Sequence, residues 1–263
     1  MKPFSIYGNG DIPVLLHLPH NSTFFPPEFV SDLNAADLSS EVHVLVDHCT
    51  DILYQPILDM GGLVFENPYC RIFFDPERFA EPEKEIMNDV GMGIFYTHTM
   101  NHIRFREDDS IQQYQDKLQR YYQPYHSALS ELTQKILDRF GRVLFIDGHS
   151  YPLTCFPFER YPNDPRPEVD IGTDSFHTSN RLLTYTKEVF EQTYSVGIDQ
   201  PFKGTLIPNG FYRKERNICA MMLEVRRDVY LEDYESGSIK VNQAGIQRFH
   251  QHLKKVLDYF VGS

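Results

Sequence analysis

The sequence has no tryptophan and only four cysteines among its 263 residues. Cys49, Cys70, Cys155 and Cys219 are scattered without paired spacing, which argues against a cysteine-rich zinc site or a disulfide framework. Basic residues are scarce as well, because 25 lysines and arginines face 37 aspartates and glutamates, for a net charge of −12. Proteins that bind nucleic acids usually neutralise phosphates with a basic face, so this class is disfavoured.

Long apolar runs are also missing. No stretch approaches the ~20 apolar residues that a membrane helix needs. Residues 1–10 contain a single lysine and no long apolar run, unlike a secretory signal. Together with unpaired, reduced thiols, these absences predict a cytoplasmic protein that does not contact a membrane.

What the sequence does contain is enough apolar and aromatic material for a large core. Hydrophobic residues make up 41% of the chain, including 20 phenylalanines and 16 tyrosines. A disordered chain lacks this apolar surface. Because no internal repeat or low-complexity linker marks a boundary, we expect one domain over residues 1–263.

Short apolar runs alternate with helical patterns along the chain. The apolar runs, which predict buried strands, are Val14–Leu18, Gly62–Phe65, Arg71–Phe74, Val143–Ile146 and Cys219–Leu223. The helical patterns are Glu41–Asp59, Ile111–Phe140, Asn180–Thr193 and Ile246–Phe260. Pro124 should kink or divide the second of these helices. The alternation predicts an α/β fold, a three-layer sandwich with a mostly parallel central sheet.

Three polar residues fall at or just beyond the ends of predicted strands: His20, His149 and Glu224. Ligands in parallel α/β sheets bind at the carboxyl ends of the strands, so these side chains should meet at one edge. A catalytic zinc ion takes three nitrogen or oxygen ligands plus water, and a nearby carboxylate can act as the base. The simpler interpretation is two structural histidines and a glutamate that pairs with Arg226 or Arg227.

A third ligand for such a metal would come from the segment after the first histidine. Asp47 lies inside the helical pattern Glu41–Asp59 and is the obvious carboxylate, although a helical aspartate is usually just solvated. His48 and Asp51 are neighbours that could serve instead.

A second group of charged residues follows the predicted strand Arg71–Phe74. Arg71, Asp75 and Arg78 lie at its end and in the next turn. Guanidinium groups bind carboxylates in a planar, bidentate way. The alternative is an ordinary surface salt bridge, which contributes little. Further candidate cations are Arg104 and Lys203.

Eight short motifs together resemble a known family. In chain order they are 18–22 (LPHNS) with Pro26-Pro27, Asp47, 71–78 (RIFFDPER), 93–97 (GIFYT), 147–150 (DGHS), 172–174 (GTD), 201–204 (PFKG) and 223–225 (LEV). This order is similar to that of the N-formylglutamate amidohydrolase family over roughly residues 14–230.

The resemblance implies a metal-dependent amidohydrolase with the phosphorylase/hydrolase-like α/β fold. It implies one zinc ion per chain, with His20 and His149 as ligands and Glu224 as the catalytic base. Carboxypeptidase-like enzymes supply a glutamate three residues after the first histidine, but Thr23 occupies that position here. The amidase-like alternative, a carboxylate further along the chain, is Asp47.

The resemblance also implies a small anionic N-acyl amino acid as substrate, N-formylglutamate-like, and a place in histidine degradation. Arg71 and Arg78 would orient the carboxylate of this substrate, with Arg104 and Lys203 as outer candidates. One position departs from the family pattern, because Glu77 stands where an asparagine is expected to help hold that carboxylate. Glu77 would repel it unless turned away or paired. The alternatives are a carboxypeptidase or cell-wall amidase acting on a larger acyl-peptide, and a non-catalytic binding protein of the same fold.

Overall fold

A seven-stranded sheet forms the centre of this computed structural model, which describes residues 2–27, 29, 38–81, 83–157, 159, 165–234 and 238–262. The strands, in spatial order, are β1 (Ser5–Gly8), β3 (Leu63–Glu66), β2 (Val14–Leu18), β4 (Val143–Tyr151), β7 (Ile218–Arg226), β5 (Val169–Gly172) and β6 (Val196–Ile198). The central strands β3, β2, β4 and β7 run parallel. β1 pairs antiparallel with β3, and β5 pairs antiparallel with β7 but parallel with β6. The expected α/β fold with a mostly parallel sheet is confirmed.

Helices cover both faces of the sheet. They are α1 (Ser39–Leu45), α2 (Thr50–Leu53), α3 (Gln55–Asp59), α4 (Ile111–Lys117), α5 (Gln123–Phe140), α6 (Asn180–Glu191) and α7 (Gln243–Gly262). Successive strand residues point to opposite faces, so Leu16 belongs to the core that includes Phe249 of α7, while Leu15 belongs to the core that includes Tyr125 of α5. A short antiparallel pair, β8 (Leu231–Asp233) and β9 (Lys240–Val241), stands apart from the main sheet. Every helix in the described residues is too short or too polar to span a bilayer.

Several element boundaries differ from those expected from the sequence. The predicted strand Arg71–Phe74 is wrong, because the backbone there turns, with the amides of Phe73 and Phe74 both donating to the carbonyl of Cys70. Its apolar side chains are nevertheless buried in the aromatic core around Tyr121. A buried turn can therefore have the same run of apolar residues as a buried strand.

The predicted helix Glu41–Asp59 is also wrong as one element, since it is divided into α1, α2 and α3. Cys49 has a left-handed backbone with φ of 60°, which a right-handed helix cannot accommodate. Asp47 therefore lies in the turn between α1 and α2 rather than on a helix.

The predicted helix Ile111–Phe140 is continuous but irregular. A π-helical turn, Leu118–Tyr122, separates α4 from α5, and Pro124 lies in the first turn of α5. Proline lacks an N–H group, so the change of helical pattern beside it is the division that the sequence predicts.

Two of the parallel strands are longer than their apolar runs. β4 continues from Ile146 to Tyr151, and β7 continues from Leu223 to Arg226. His149 and Glu224 are therefore part of the strands themselves, and the ladder of hydrogen bonds fixes their positions.

Tyr54 ties these two strands to the helical layer. Its buried hydroxyl is 2.7 Å from the carbonyl of Leu223 and 3.2 Å from that of His149. We expect Tyr54→Phe to lower the free energy of unfolding by about 1–3 kcal/mol, because buried carbonyls lose their donor. Urea unfolding measures this loss. Tyr212→Phe, at an exposed tyrosine, serves as control; equal stability of the two variants would contradict the role of the hydroxyl.

Candidate active site

Neighbouring strands place His149 and Glu224 side by side. The two residues are directly paired in the parallel register of β4 and β7, and both side chains are buried. One carboxylate oxygen of Glu224, Oε2, has no hydrogen-bond partner among the described residues. Arg226 pairs with Asp228 and Arg227 lies against Asp47, so the described contacts give Glu224 no arginine partner.

His20 lies two residues beyond β2, and its ring centroid is 5.1 Å from that of His149. Asp47 reaches the same place because its backbone amide donates to the carbonyl of His20. Its Oδ2 atom lies 3.2 Å from Nδ1 of His149 and 3.9 Å from Nδ1 of His20. Nη2 of the buried Arg227 lies 3.6 Å from the other oxygen of Asp47. One carboxylate oxygen thus faces the Nδ1 atoms of both rings.

The two neighbours of Asp47 that could have replaced it point elsewhere. Nε2 of His48 is 2.9 Å from the carbonyl oxygen of His43. Asp51 is exposed and lies on α2. Among these three, the structure brings only Asp47 to the two histidines.

Three other carboxylates face the Nε2 side of the same rings. Nε2 of His20 is 2.9 Å from Oδ1 of Asp75 and 3.5 Å from Oε2 of Glu77. Nε2 of His149 is 3.2 Å from Oε1 of Glu77 and 3.3 Å from Oδ1 of Asp147. Each ring is therefore surrounded by carboxylates on both of its nitrogens.

The charge of Asp75 determines which nitrogen of His20 carries its proton. Burial raises the pKa of Asp75, but the positive charges of Arg78 and Arg71 and the hydrogen bond from His20 outweigh burial and hold this pKa well below its ordinary value. An ionised carboxylate can only accept, so the N–H of His20 must be at Nε2. Burial, followed by the charge of Arg71, lowers the pKa of His20, which favours a neutral ring with its lone pair at Nδ1.

Several histidine nitrogens and carboxylate oxygens around these rings lie close enough together to be considered as metal ligands. Nδ1 of His20 has no hydrogen-bond partner among the described residues, and Oδ2 of Asp47 lies 3.9 Å from it and 3.2 Å from Nδ1 of His149, a nitrogen and oxygen donor set of the type that binds catalytic zinc. Ligand atoms of His20, Glu77 and His149, and likewise those of His17, Glu77 and Asp147, lie within 4.8 Å of one another. Because the lone pair of His20 is at Nδ1, the residues fit a metal ion on the Asp47 side.

The combined effect of burial and neighbouring charges raises the pKa values of both His149 and Glu224. Burial lowers the pKa of His149, yet the carboxylates of Glu77 and Asp147 outweigh it and raise this pKa well above its ordinary value. Burial also raises the pKa of Glu224 well above its ordinary value, with His149 opposing and Asp47 adding to the effect. Both shifts favour the protonated form of the side chain.

Arg71 and Arg78 converge on one oxygen of Asp75. The Nη2 atoms of Arg71 and Arg78 lie 3.0 and 3.3 Å from Oδ2, which also accepts from the hydroxyl of Tyr96 at 2.8 Å. The two arginine side chains are 16% and 18% exposed, so solvent still reaches them. Each guanidinium has five N–H donors, which leaves some for a substrate.

The other two predicted cations lie at the surface. Arg104 is exposed and pairs with Glu107 at 2.7 Å and Asp108 at 3.0 Å. Lys203 is exposed, and among the described residues it forms no hydrogen bond or ion pair with Asp75, His20 or His149. The structure therefore brings two of the four predicted cations together.

Sequence reasoning missed part of this site. His17, which was not among the candidate site residues, is fully buried, with Nδ1 2.7 Å from Asp147 and Nε2 2.7 Å from the hydroxyl of Tyr125. A histidine within the apolar strand Val14–Leu18 has to find partners, and this was the available signal. Tyr96 and Asp147 gave no comparable signal beyond their motifs.

Comparison with known proteins gives a consistent result. The sequence profile described as N-formylglutamate amidohydrolase matches residues 12–231. A protein of Pseudomonas aeruginosa named N-formylglutamate deformylase is 24% identical, over 92% of this chain and 91% of its own length. A crystal structure of N-formylglutamate amidohydrolase from Ralstonia eutropha has a TM-score of 0.82 and 21% identity, covering 100% of this chain and 98% of the other.

A gene product of Agrobacterium tumefaciens shares the fold, with a TM-score of 0.71 and 17% identity over 99% of this chain and 96% of its own. The fold and the family match define a hydrolase that acts on carbon–nitrogen bonds other than standard peptide bonds. The chain belongs to the N-formylglutamate amidohydrolase family. The resemblance found in the sequence is thereby confirmed.

His126 of α5 stabilises the turn that carries Asp75 and Glu77, because its Nε2 atom is within hydrogen-bond distance, 2.9 Å, of the carbonyl oxygen of Pro76. Burial lowers the pKa of His126 from 6.5 to about 4. The unfolded chain therefore binds a proton at higher pH than the folded chain does, so stability falls as the pH drops from 6.5 towards 4.

We expect the wild type to lose about 2 kcal/mol more unfolding free energy between pH 7 and pH 5 than His126→Gln does. Glutamine keeps a donor for the Pro76 carbonyl but does not titrate. Urea unfolding at both pH values measures the difference, with His250→Gln as a control at a surface histidine. Equal losses in wild type and His126→Gln would exclude His126 as the source of acid sensitivity.

Proposed function

We propose that this protein is a zinc-dependent amidohydrolase that cleaves the amide bond of N-formylglutamate, or of a closely similar N-acyl amino acid, releasing formate and glutamate. The observation that carries the proposal is the buried carboxylate of Glu224, which is paired with His149 in the strand register and whose Oε2 atom has no hydrogen-bond partner among the described residues. The names of the relatives, which describe N-formylglutamate deformylases, support the choice of substrate.

In this proposal His20, Asp47 and His149 hold one zinc ion per chain. When bound, zinc lowers the pKa of a coordinated water to about 7 and polarises the substrate carbonyl. The chain contributes a prepared donor set: one unpartnered imidazole nitrogen, one carboxylate, and a second imidazole whose Nδ1 is 3.2 Å from that carboxylate. Nη2 of Arg227, 3.6 Å from the far oxygen of Asp47, helps to keep the near oxygen directed at both rings.

Glu224 acts as the general base and then as the general acid. Its carboxylate takes a proton from the attacking water and passes it to the nitrogen of the departing glutamate. Burial makes Glu224 a stronger base than an exposed glutamate, because it disfavours the charged form. The strand register with His149 keeps the carboxylate beside the reacting atoms.

Arg71 and Arg78 bind the carboxylates of the substrate. Both guanidinium groups are partly exposed, and Asp75 fixes their orientation from behind. The negative charge of Glu77 near these arginines is not unpaired, because its carboxylate oxygens lie 3.5 Å from Nε2 of His20 and 3.2 Å from Nε2 of His149. Arg104 and Lys203, which are exposed, act in this proposal only as outer cations that attract the anion over a distance.

The protein purified without chelator should contain about one zinc per chain and release formate from N-formyl-L-glutamate. We expect Glu224→Gln to keep the zinc but to lose turnover by about 10²–10⁴-fold, because the proton acceptor is gone. Metal analysis and a formate assay measure the two effects, and Glu131→Gln, at an exposed glutamate of α5, is the matched control.

Full activity of Glu224→Gln would remove Glu224 from the mechanism. A wild type that binds no zinc and cannot be reconstituted would contradict the proposed function. N-acetyl and N-succinyl amino acids, assayed in parallel, show whether the formyl group is the preferred acyl group.

The two inner arginines should control substrate binding. Arg78→Lys keeps the charge but loses the planar fork, so we expect KM for N-formylglutamate to rise about 10- to 100-fold with zinc content unchanged. Arg104→Lys is the matched control and should change KM less than about twofold, because charges at exposed positions are screened. Steady-state kinetics measure KM for both variants. A larger rise of KM in Arg104→Lys than in Arg78→Lys would exclude Arg78 as a substrate contact.

A further inference from the structure

Glu77 occupies a distinctive position beneath the two histidine rings. Its two carboxylate oxygens face different rings: Oε1 lies 3.2 Å from Nε2 of His149, and Oε2 lies 3.5 Å from Nε2 of His20. Asp75 contacts only the first ring on this side and Asp147 only the second. Within the part of the chain that the structure describes, Glu77 alone lies within 3.5 Å of both Nε2 atoms.

The local backbone aims Glu77 at this position. Its amide donates to Oδ1 of Asp75 at 3.2 Å, which closes a tight turn around Pro76. His126 binds the carbonyl of Pro76 from the helix behind. The turn is therefore fixed at both ends, and the Glu77 side chain, 16% exposed, projects towards the rings instead of into solvent.

Glu77 fits a supporting role better than direct ligation of a metal. A metal ion bound to Glu77 and to Nε2 of His20 would have to displace the 2.9 Å hydrogen bond from that nitrogen to the fully buried Asp75. Carboxylates that accept from the remote N–H of a ligating histidine fix its tautomer and its orientation. The 3.2 Å contact with Nε2 of His149 is a hydrogen bond of this kind, whereas the 3.5 Å contact with His20 is an electrostatic contact, because Nε2 of His20 already donates to Asp75.

We propose that Glu77 is a positioning residue that joins the two imidazole rings on their Nε2 side and so keeps both Nδ1 atoms directed towards Asp47. This inference rests on the proposed function, because it assumes that Nδ1 is the nitrogen that binds the metal. Without Glu77 each ring keeps one carboxylate on its Nε2 side, Asp75 or Asp147, but no carboxylate of the described residues then joins the two rings on that side.

The experiment compares Glu77→Gln, Glu77→Ala and the control Glu81→Gln, which makes the same chemical change at an exposed glutamate four residues away. Zinc affinity is measured by competition with a chromophoric chelator. Glutamine keeps one acceptor oxygen and alanine keeps none. We expect affinity to fall about 10-fold for Glu77→Gln and nearer 100-fold for Glu77→Ala, with one zinc per chain still bound at saturation. Glu81→Gln should match the wild type.

A second measurement uses the metal-free protein, so that it does not depend on catalysis. ¹⁵N–¹H spectra report the ring nitrogens of His20 and His149 directly. We expect Glu77→Ala to shift the Nε2 signals of both rings together, whereas Glu81→Gln shifts neither. A simultaneous shift confined to these two rings is the signature of a bridge, because a general loss of stability would change signals elsewhere in the protein as well.

The failure of this inference is distinguishable from failure of the proposed function. Wild-type ring signals together with wild-type zinc affinity in Glu77→Ala would overturn the bridge. Loss of all zinc from Glu77→Ala while Asp47→Ala still binds one zinc would overturn it too, because Glu77 would then be a ligand. A wild type that never binds zinc contradicts the proposed function, and the ring signals then decide on the bridge independently.

Discussion

The candidate site depends on one buried hydrogen bond, the one between Nε2 of His20 and Asp75 at 2.9 Å. Asp75 is fully buried, and two arginines and a tyrosine hydroxyl keep it ionised. An ionised acceptor at Nε2 forces the lone pair of His20 to Nδ1, which has no hydrogen-bond partner in the part of the chain that the structure describes. A buried polar atom without a partner costs free energy, which is tolerable where a ligand will satisfy it.

This hydrogen bond also couples the two halves of the proposed mechanism. The same carboxylate that orients His20 through Oδ1 orients Arg71 and Arg78 through Oδ2. The metal side and the substrate side of the site therefore share one anchor. Because Asp75 contacts His20 and both arginines, removal of an arginine charge would also alter the hydrogen bond between Asp75 and His20. The informative substitution is therefore one that conserves the charge, such as Arg78→Lys.

Much of the fold and the chemistry of the site could be predicted from the sequence, because apolar runs locate buried strands and polar residues stand out beside them. Such local signals predicted the strand Val14–Leu18, the helical pattern Ile246–Phe260 and the placement of His149 beside Glu224. Non-local effects were not predictable. The left-handed backbone at Cys49 broke a periodic helix, and the contact of His17 with Asp147 joins residues 130 positions apart. Net charge was no guide to the site, where Arg71 and Arg78 converge on the buried carboxylate of Asp75.

The claim that both histidines offer Nδ1, on the side of Asp47, is tested most directly by diffraction from zinc-soaked crystals at the zinc absorption edge. We predict one anomalous peak per chain, about 2.0–2.2 Å from Nδ1 of His20, Nδ1 of His149 and an oxygen of Asp47. A peak between the Nε2 atoms, with Glu77 as the coordinating carboxylate, would contradict it.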